Sequence, residues 1–305
     1  MKNLIVFGKG LIGNSILQSF ASEEYPIVSV ATNEVDLLDY IAIDNFISNL
    51  DIDDVLIFAS GLSGGILFNL NNPLDLYSKN IRMINNFINA AADRRIKNVL
   101  NIVPACVYPA NLNQRAKVED LWQGPMEKSS LAYSTAKISG LVGVETVRKQ
   151  LGFDWTNLIV TNVYGPHKRI DSKQMHVIPA LIEKINQAKA NDDKSVQIFG
   201  DGTPVREFLY SSDLGLAVHS FIQNDLWSIS TMNIAGSEAV SILELAKIIA
   251  HELGYKGEIR VEASFNNGTS IKLLNDSIFR ETGWDPRVDL AQGISNLTKL
   301  VPRSE

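Results

Sequence analysis

Two stretches of this chain combine residue types that can do chemistry together. Tyr133-Ser134-Thr135-Ala136-Lys137 sets a phenol and an ammonium four residues apart. On a helix that spacing puts them one turn apart on the same face. A lysine beside a tyrosine favours the tyrosinate, so the spacing predicts a phenol pKa below its usual value of about 10. Such a phenol exchanges a proton with a sugar or alcohol oxygen near neutral pH. Far upstream, Gly8-Lys9-Gly10-Leu11-Ile12-Gly13 has the spacing of a dinucleotide turn. There Gly8, Gly10 and Gly13 allow a tight turn, a close approach of backbone to pyrophosphate and tight packing of helix on sheet. Together the two stretches read as oxidoreductase chemistry.

The elements that must position them follow from hydrophobic patterning. An apolar run over 3–8 leads into the glycine turn, and an apolar-periodic helix is predicted over 11–21. Strands are predicted at Ile27–Thr32, Val55–Ala59, Lys97–Val103 and Trp155–Val163, and helices at Ala42–Leu50, 74–93 and 132–151. Continuous apolar strands alternating with helices predict an α/β fold, a Rossmann-like, doubly wound parallel sheet. After Tyr164-Gly165-Pro166 the pattern changes: a helix starts near His176, Ser195–Phe199 reads as a strand, and Ser211-Ser212-Asp213 can cap the next helix. Ser241 with Glu244 three residues on predicts a capping box opening the helix Ser241–Leu253. We therefore expect a dinucleotide-binding domain over 1–165 and a smaller α/β substrate-binding region over 166–305, with some segments of the latter returning to the core.

Composition bounds the partners. The 305 residues are 45% hydrophobic and 20% charged, ordinary values for a globular protein. A net charge of −6 argues against nucleic acid and anionic membrane as general partners. The single cysteine, Cys106, excludes an internal disulfide and fits a reducing compartment. With no signal-like or membrane-length apolar run, the expected location is the cytoplasm. Residues 30–36, Val-Ala-Thr-Asn-Glu-Val-Asp, carry acidic groups and no Arg or Lys, which tilts the cofactor choice between NAD and NADP toward NAD.

Several segments resemble the extended short-chain dehydrogenase/reductases, and within them the GDP-L-fucose synthase branch, whose members are 3,5-epimerase/4-reductases of GDP-4-keto-6-deoxymannose. They are Glu34–Asp39 (EVDLLD), Ser63–Ile66 (SGGI), Cys106–Pro109 (CVYP), Gln123–Gly140, Thr161–His167 (TNVYGPH), His176–Leu181 (HVIPAL) and Gly200–Leu209 (GDGTPVREFL). The resemblance implies that Tyr133 donates a proton to a C4 ketone and that Lys137 tunes it and holds the nicotinamide ribose. It places Ala59 with the glycines at the cofactor, and Cys106 and His176 as the epimerisation base and acid on opposite sides of the sugar. Lys184 and Arg206 fall where the family grips its nucleotide-sugar substrate, and a guanidinium suits a diphosphate. Outside these motifs a lone cysteine is usually a small buried apolar group, and a basic residue a surface ion-pair partner. The family also implies a homodimer through the helices at 74–93 and 132–151, where Ile81, Ile84, Phe87 and Ile88 recur at helical spacing.

The chain departs from that family in three places. Pro104-Ala105-Cys106 stands where the family has Ser-Ser-Cys, and proline offers neither a hydroxyl nor an N–H to a ketone oxygen. Ser60 and Ser63 are the candidate substitutes. The glycine turn is one residue shorter than the family's, and Val30 and Thr32 occupy positions of its NADP-phosphate contacts. The readings that follow are a bifunctional GDP-sugar epimerase/reductase, a single-step paralogue acting on another 4-keto nucleotide sugar such as a 6-deoxyheptose or dideoxyhexose, and a dinucleotide-binding sensor. Tyr133, Lys137, Cys106 and His176 occurring together favour an enzyme.

Overall fold

A computed structural model describes residues 3–21, 26–166, 175–262 and 268–300. In chain order its first part comprises β1 (Leu4–Phe7), α1 (Leu11–Ser19), β2 (Ile27–Val30), α2 (Tyr40–Ile47), β3 (Val55–Phe58), α3 (Ile66–Asn71), α4 (Pro73–Asp93), β4 (Asn98–Pro104), α5 (Leu131–Leu151) and β5 (Asp154–Val160). Then follow β6 (Asn162–Tyr164), α6 (Val177–Ala190), β7 (Ser195–Phe199), β8 (Val205–Tyr210), α7 (Ser211–Gln223), β9 (Thr231–Ile234), β10 (Ala239–Ser241), α8 (Ile242–Leu253), β11 (Glu258–Glu262), β12 (Ile271–Lys272), α9 (Ser277–Arg280) and α10 (Leu290–Thr298).

The central sheet has six strands in the order β2-β1-β3-β4-β5-β9, and every pairing is parallel. The inner strands β1 and β3 are covered on both faces, so their apolar runs are continuous and successive residues feed different cores, whereas the edge strand β2 leaves Val28 exposed. Leu4 and Val6 of β1 join Ile16, Phe20, Leu214 and Phe221 of α1 and α7 on one side. Ile5 and Phe7 join Ile43, Ile47, Phe87 and Trp155 on the other. The sheet thus carries helices on both faces, as a doubly wound fold requires.

The predicted strand Trp155–Val163 divides at Thr161. β5 stays in the central sheet, while β6 turns away to pair with β8 in a second sheet that also holds β10 and β12. The Thr161 hydroxyl and the Asn162 amide both donate to the Glu207 carbonyl, which pulls the chain across. The Ser241 capping box is present in both directions, Ser241 Oγ accepting from Glu244 N–H and the Glu244 carboxylate from Ser241 N–H. Ser211, by contrast, is the first residue of α7, and Tyr210 occupies the cap without a capping side chain.

The helical stripe on α4 is consumed within the chain. Ile84, Phe87 and Ile88 are buried and Ile81 is half-buried. Gly140 and Gly143 of α5 let this stripe approach, since a Cβ there would lie 2.5 Å from Ile84 Cγ1 and 2.7 Å from Ile88 Cδ1. Ile84 and Ile88 therefore meet α5 within the chain, and Phe87 packs on Phe7 and Phe58 of the sheet. His167 of the Thr161–His167 segment lies outside the described residues. Among the described residues no helix is long and apolar enough to cross a membrane.

Candidate active site

Parallel strands bring their carboxyl ends to one edge of the sheet, where open α/β sheets bind ligands. Gly8 after β1, Ala59 and Ser60 after β3, and Cys106 after β4 all fall at that edge. Gly8 has φ +133°, open to glycine and strained for other residues, and its N–H donates to Val30 O at 3.0 Å. A Cβ on Gly13 would run into the Gly8 carbonyl, whereas one on Gly10 would meet nothing within 4 Å. Gly10 caps α1 with no side-chain hydrogen bond. The first turn of α1 thus presents backbone N–H groups beside open space, a fit for a dinucleotide pyrophosphate.

Two loops flank the turn. Lys9 Nζ donates to Glu34 Oε1 at 2.7 Å, and Glu34 Oε2 accepts the Ala31 N–H at 2.7 Å. The hydrogen bond from Ala31, then that from Lys9, holds the exposed Glu34 carboxyl below its ordinary value. On the opposite side Ser60 Oγ donates to Phe7 O at 2.8 Å, and the Ser60 carbonyl accepts from Lys137 Nζ at 2.8 Å. The single hydroxyl proton of Ser60 is therefore committed to the glycine-turn strand, which rules it out as the donor that Pro104 lacks in this arrangement.

Tyr133 and Lys137 lie on the first turns of α5, Tyr133 half-buried and Lys137 8% exposed. Lys137 Nζ sits 5.8 Å from the centre of the Tyr133 ring and 5.6 Å from that of Phe58. Burial draws the Lys137 ammonium down to about 8, with Cys106 opposing. Burial pushes the Tyr133 phenol up, and Cys106 adds to the rise. The expectation of a lowered phenol pKa is overturned, because desolvation disfavours the tyrosinate and the ammonium is directed at the Ser60 carbonyl. Tyr133 consequently holds its proton across the neutral range.

Cys106 occupies a short helical turn, Ala105–Val107, directly after β4. Burial pushes its thiol up as well, against Lys272, a hydrogen bond with Ser134, and Lys137. It is thus a protonated thiol near neutral pH rather than a tuned thiolate. His176 is the N-cap of α6, with burial lowering its imidazole. The carbonyl of the preceding residue, Met175, lies against Gly65, the N-cap of α3.

With this geometry in hand, the chain can be placed among known proteins. Residues 4–235 match the NAD-dependent epimerase/dehydratase family. The chain belongs to that family. It is 33% identical to a GDP-L-fucose synthase of Sinorhizobium fredii, over 94% of this chain and 91% of that protein. It is 32% identical to a GDP-L-colitose synthase of Yersinia pseudotuberculosis, over 97% of this chain and 96% of that one. A solved structure, the GDP-mannoheptose C4 reductase MlghC of Campylobacter jejuni with NADP bound, shares 25% identity over 98% of each chain, with a TM-score of 0.84. Membership of that family, with relatives that reduce GDP-sugars using a bound NADP, makes the cofactor a nicotinamide dinucleotide.

Of the two expected substrate contacts, Arg206 on β8 is half-buried, its Nη1 donating to Val205 O at 2.8 Å. Burial lowers its pKa and Glu127 opposes. Lys184 lies exposed on α6, with Nζ 5.0 Å from the centre of the Phe199 ring. Lys272 lies in none of the motifs, and Glu127 and Ser134, inside the Gln123–Gly140 segment, carry no role that the motifs imply. The Glu127 carboxylate accepts from Ser129 Oγ at 2.7 Å, Thr269 Oγ1 at 3.0 Å and Lys272 Nζ at 3.1 Å. Burial acts to raise this carboxyl, but Lys272 and the three hydrogen bonds outweigh it and hold it at about 2. Glu127 and Lys272 are 145 residues apart, so no local spacing could signal their pairing. Ser134 could have been noticed as the hydroxyl next to Tyr133. It is fully buried and donates to Ser130 Oγ at 3.3 Å. Among the described residues no group of His, Cys, Asp and Glu could hold a metal ion.

Proposed function

We propose that this protein reduces the C4 ketone of a GDP-linked 4-keto-6-deoxy sugar, with epimerisation at C3 or C5 through Cys106 and His176. The observation that carries the reading is the Tyr133–Lys137–Cys106 cluster, joined to the glycine turn through Ser60. When bound, the reduced nicotinamide supplies the hydride for C4. Tyr133 gives its phenolic proton to the ketone oxygen, and the Lys137 ammonium, charged below about pH 8, stabilises the tyrosinate left behind. Arg206 and Lys184 supply positive charge for the diphosphate. Burial favours the neutral forms of both Cys106 and His176. With both groups neutral the roles reverse those the resemblance implies: the His176 imidazole removes the proton alpha to the ketone and the Cys106 thiol returns one.

A second reading, in which only one of the two steps survives, is favoured by Pro104. Loss of one ketone-oxygen donor typically costs about a hundredfold or more in rate, and Ser60 does not replace it. Incubation with GDP-4-keto-6-deoxymannose in deuterated water, with and without NADH or NADPH, separates the readings. Oxidation of the reduced cofactor reports reduction, and deuterium at C3 or C5 reports epimerisation. The Cys106→Ser and His176→Asn variants are expected to lose deuterium uptake by about two orders of magnitude. Uptake persisting in both would sink the acid–base assignment, and tight dinucleotide binding with neither reaction would mark a sensor.

NAD is proposed as the preferred cofactor. The Glu34 carboxylate after β2 suits a ribose hydroxyl and repels a 2′-phosphate, and the Lys9 charge beside it is already paired. The Glu34→Gln variant would free Lys9 to meet a phosphate. Its ratio of NADH to NADPH dissociation constants should then shift toward NADPH by about tenfold. An unchanged ratio in a fluorescence titration would show that Glu34 does not choose the cofactor.

A further inference from the structure

The thiol of the proposed epimerisation has a charged neighbour that arrives from the far end of the chain. β12 pairs with β8 in parallel, Lys272 opposite Arg206, and runs on past Ala116, whose N–H donates to Leu273 O at 2.8 Å. This path brings Lys272 to the turn that carries Cys106. Lys272 lines one small cavity together with Ala105 and Tyr108, which lie on either side of the cysteine in the chain. Its side chain is 17% exposed, and its Nζ donates to Glu127 Oε2 at 3.1 Å. The Glu127 side chain, 14% exposed, also accepts from Thr269 Oγ1 at 3.0 Å and, on its other oxygen, from Ser129 Oγ at 2.7 Å. Gly268 enters β12 with φ +64°, and a Cβ there would lie 2.8 Å from Glu127 Oε1. Two distant segments are thus fitted around one shielded ion pair. Taking two charges out of water costs about as much as their attraction returns, so stability alone explains such a pair weakly.

We propose that the Glu127–Lys272 pair is a positioning element for proton transfer at Cys106: the Lys272 ammonium steadies the thiolate left when the thiol gives its proton to the sugar carbon, and Glu127 holds that ammonium in place and moderates its charge. This rests on the reading that Cys106 returns a proton at C3 or C5. In that step the S–H bond breaks, a C–H bond forms, and the negative charge of the enolate passes to sulfur. Water then returns a proton to the thiolate and takes up the one that His176 removed. Burial opposes the thiolate; of the surrounding charges Lys272 favours it most, Lys137 on α5 less, and Glu127 opposes it. Tyr133 on α5 also adjoins the thiol, and Arg206 on β8 interacts with Glu127.

Cys106 is the only cysteine, so its ionisation is read in the whole protein, without substrate, from the pH dependence of alkylation by iodoacetamide. Lys272→Met removes the favourable charge. The midpoint should rise by about one pH unit, slowing alkylation about tenfold at a fixed pH below it. Glu127→Gln leaves the ammonium unopposed and should lower the midpoint by about half a unit. Lys272→Arg keeps the charge and should titrate close to wild type, and the Glu127→Gln/Lys272→Met double variant should fall between wild type and Lys272→Met. With GDP-4-keto-6-deoxymannose in deuterated water, Lys272→Met should lose deuterium uptake about tenfold, and Lys272→Arg should keep most of it. Mere loosening of the turn admits water to the thiol and lowers the midpoint in every variant, so only the lost charge moves Lys272→Met upward. A midpoint unchanged or lowered in Lys272→Met would overturn the proposal. If that variant does not fold, the double variant, which leaves no charge buried alone, decides by the same sign. A midpoint raised by methionine and restored by arginine, in a protein whose wild type takes up no deuterium, would uphold the charge assignment and reject the epimerisation.

Discussion

Tyr133→Phe is expected to lower kcat for reduction of a GDP-linked 4-keto sugar by about 10²- to 10⁴-fold, the usual range for loss of a positioned general acid. The ring packing is kept and only the phenolic proton is lost, so KM and the NADH dissociation constant should stay within about twofold. Because burial raises the Tyr133 pKa, the wild-type phenol is protonated at neutral pH and available as the acid. Deuterium uptake at C3 or C5 should survive in this variant, since that proton traffic runs through Cys106 and His176. Stopped-flow oxidation of NADH and mass spectrometry of the sugar check the two halves separately. A variant that reduces the ketone at the wild-type rate would remove Tyr133 from the mechanism.

Gly13→Ala should have the second-largest effect, through the backbone. An added Cβ collides with the Gly8 carbonyl, which a flexible side chain cannot relieve. Either α1 moves off the sheet or the β1–α1 turn opens, and both displace the N–H groups proposed to hold the pyrophosphate. Overpacking of this kind costs about 1–3 kcal/mol, and dinucleotide affinity should fall at least about tenfold with it. Gly10→Ala is the matched control for stability, since its Cβ meets nothing within 4 Å. Thermal melts of both variants, with an NADH titration of Gly13→Ala, provide the test. A Gly13→Ala protein with wild-type melting and affinity would show that the tight contact is not needed.

Much of the fold was legible because each element is dictated by its own residues. LIVF over Leu4–Phe7, VLIF over Val55–Phe58 and NVLNIVP over Asn98–Pro104 are short, rich in β-branched residues and bounded by turns, which marks them as strands covered on both faces. The Ser241–Glu244 box closes within four residues and was readable for the same reason. The apolar stripe on α4 was equally visible, but a stripe does not say what covers it. Gly140 and Gly143, about 55 residues beyond Ile84 and Ile88, decided that it meets α5 within the chain. The break at Thr161 was likewise hidden, since it depends on the Glu207 carbonyl 46 residues further on.

The site divides along the same line. Local spacing determined the reactive groups: Tyr133 and Lys137 on one helix face, the three glycines between a strand and a helix, and the acidic residues after β2 with no arginine among them. It also exposed Pro104 as a missing donor. Their protonation was decided by tertiary packing, because a pKa responds to burial and to charges that arrive from anywhere in the chain. A lysine four residues from a tyrosine predicted a lowered phenol, and burial reversed the sign. Lys272 reaches Cys106 and Glu127 across separations that no motif spans. The sequence by itself determined which chemistry is present, through the fixed geometry of a helical turn. Only the fold decided where each proton resides, since desolvation and Coulomb fields act through space and not along the chain.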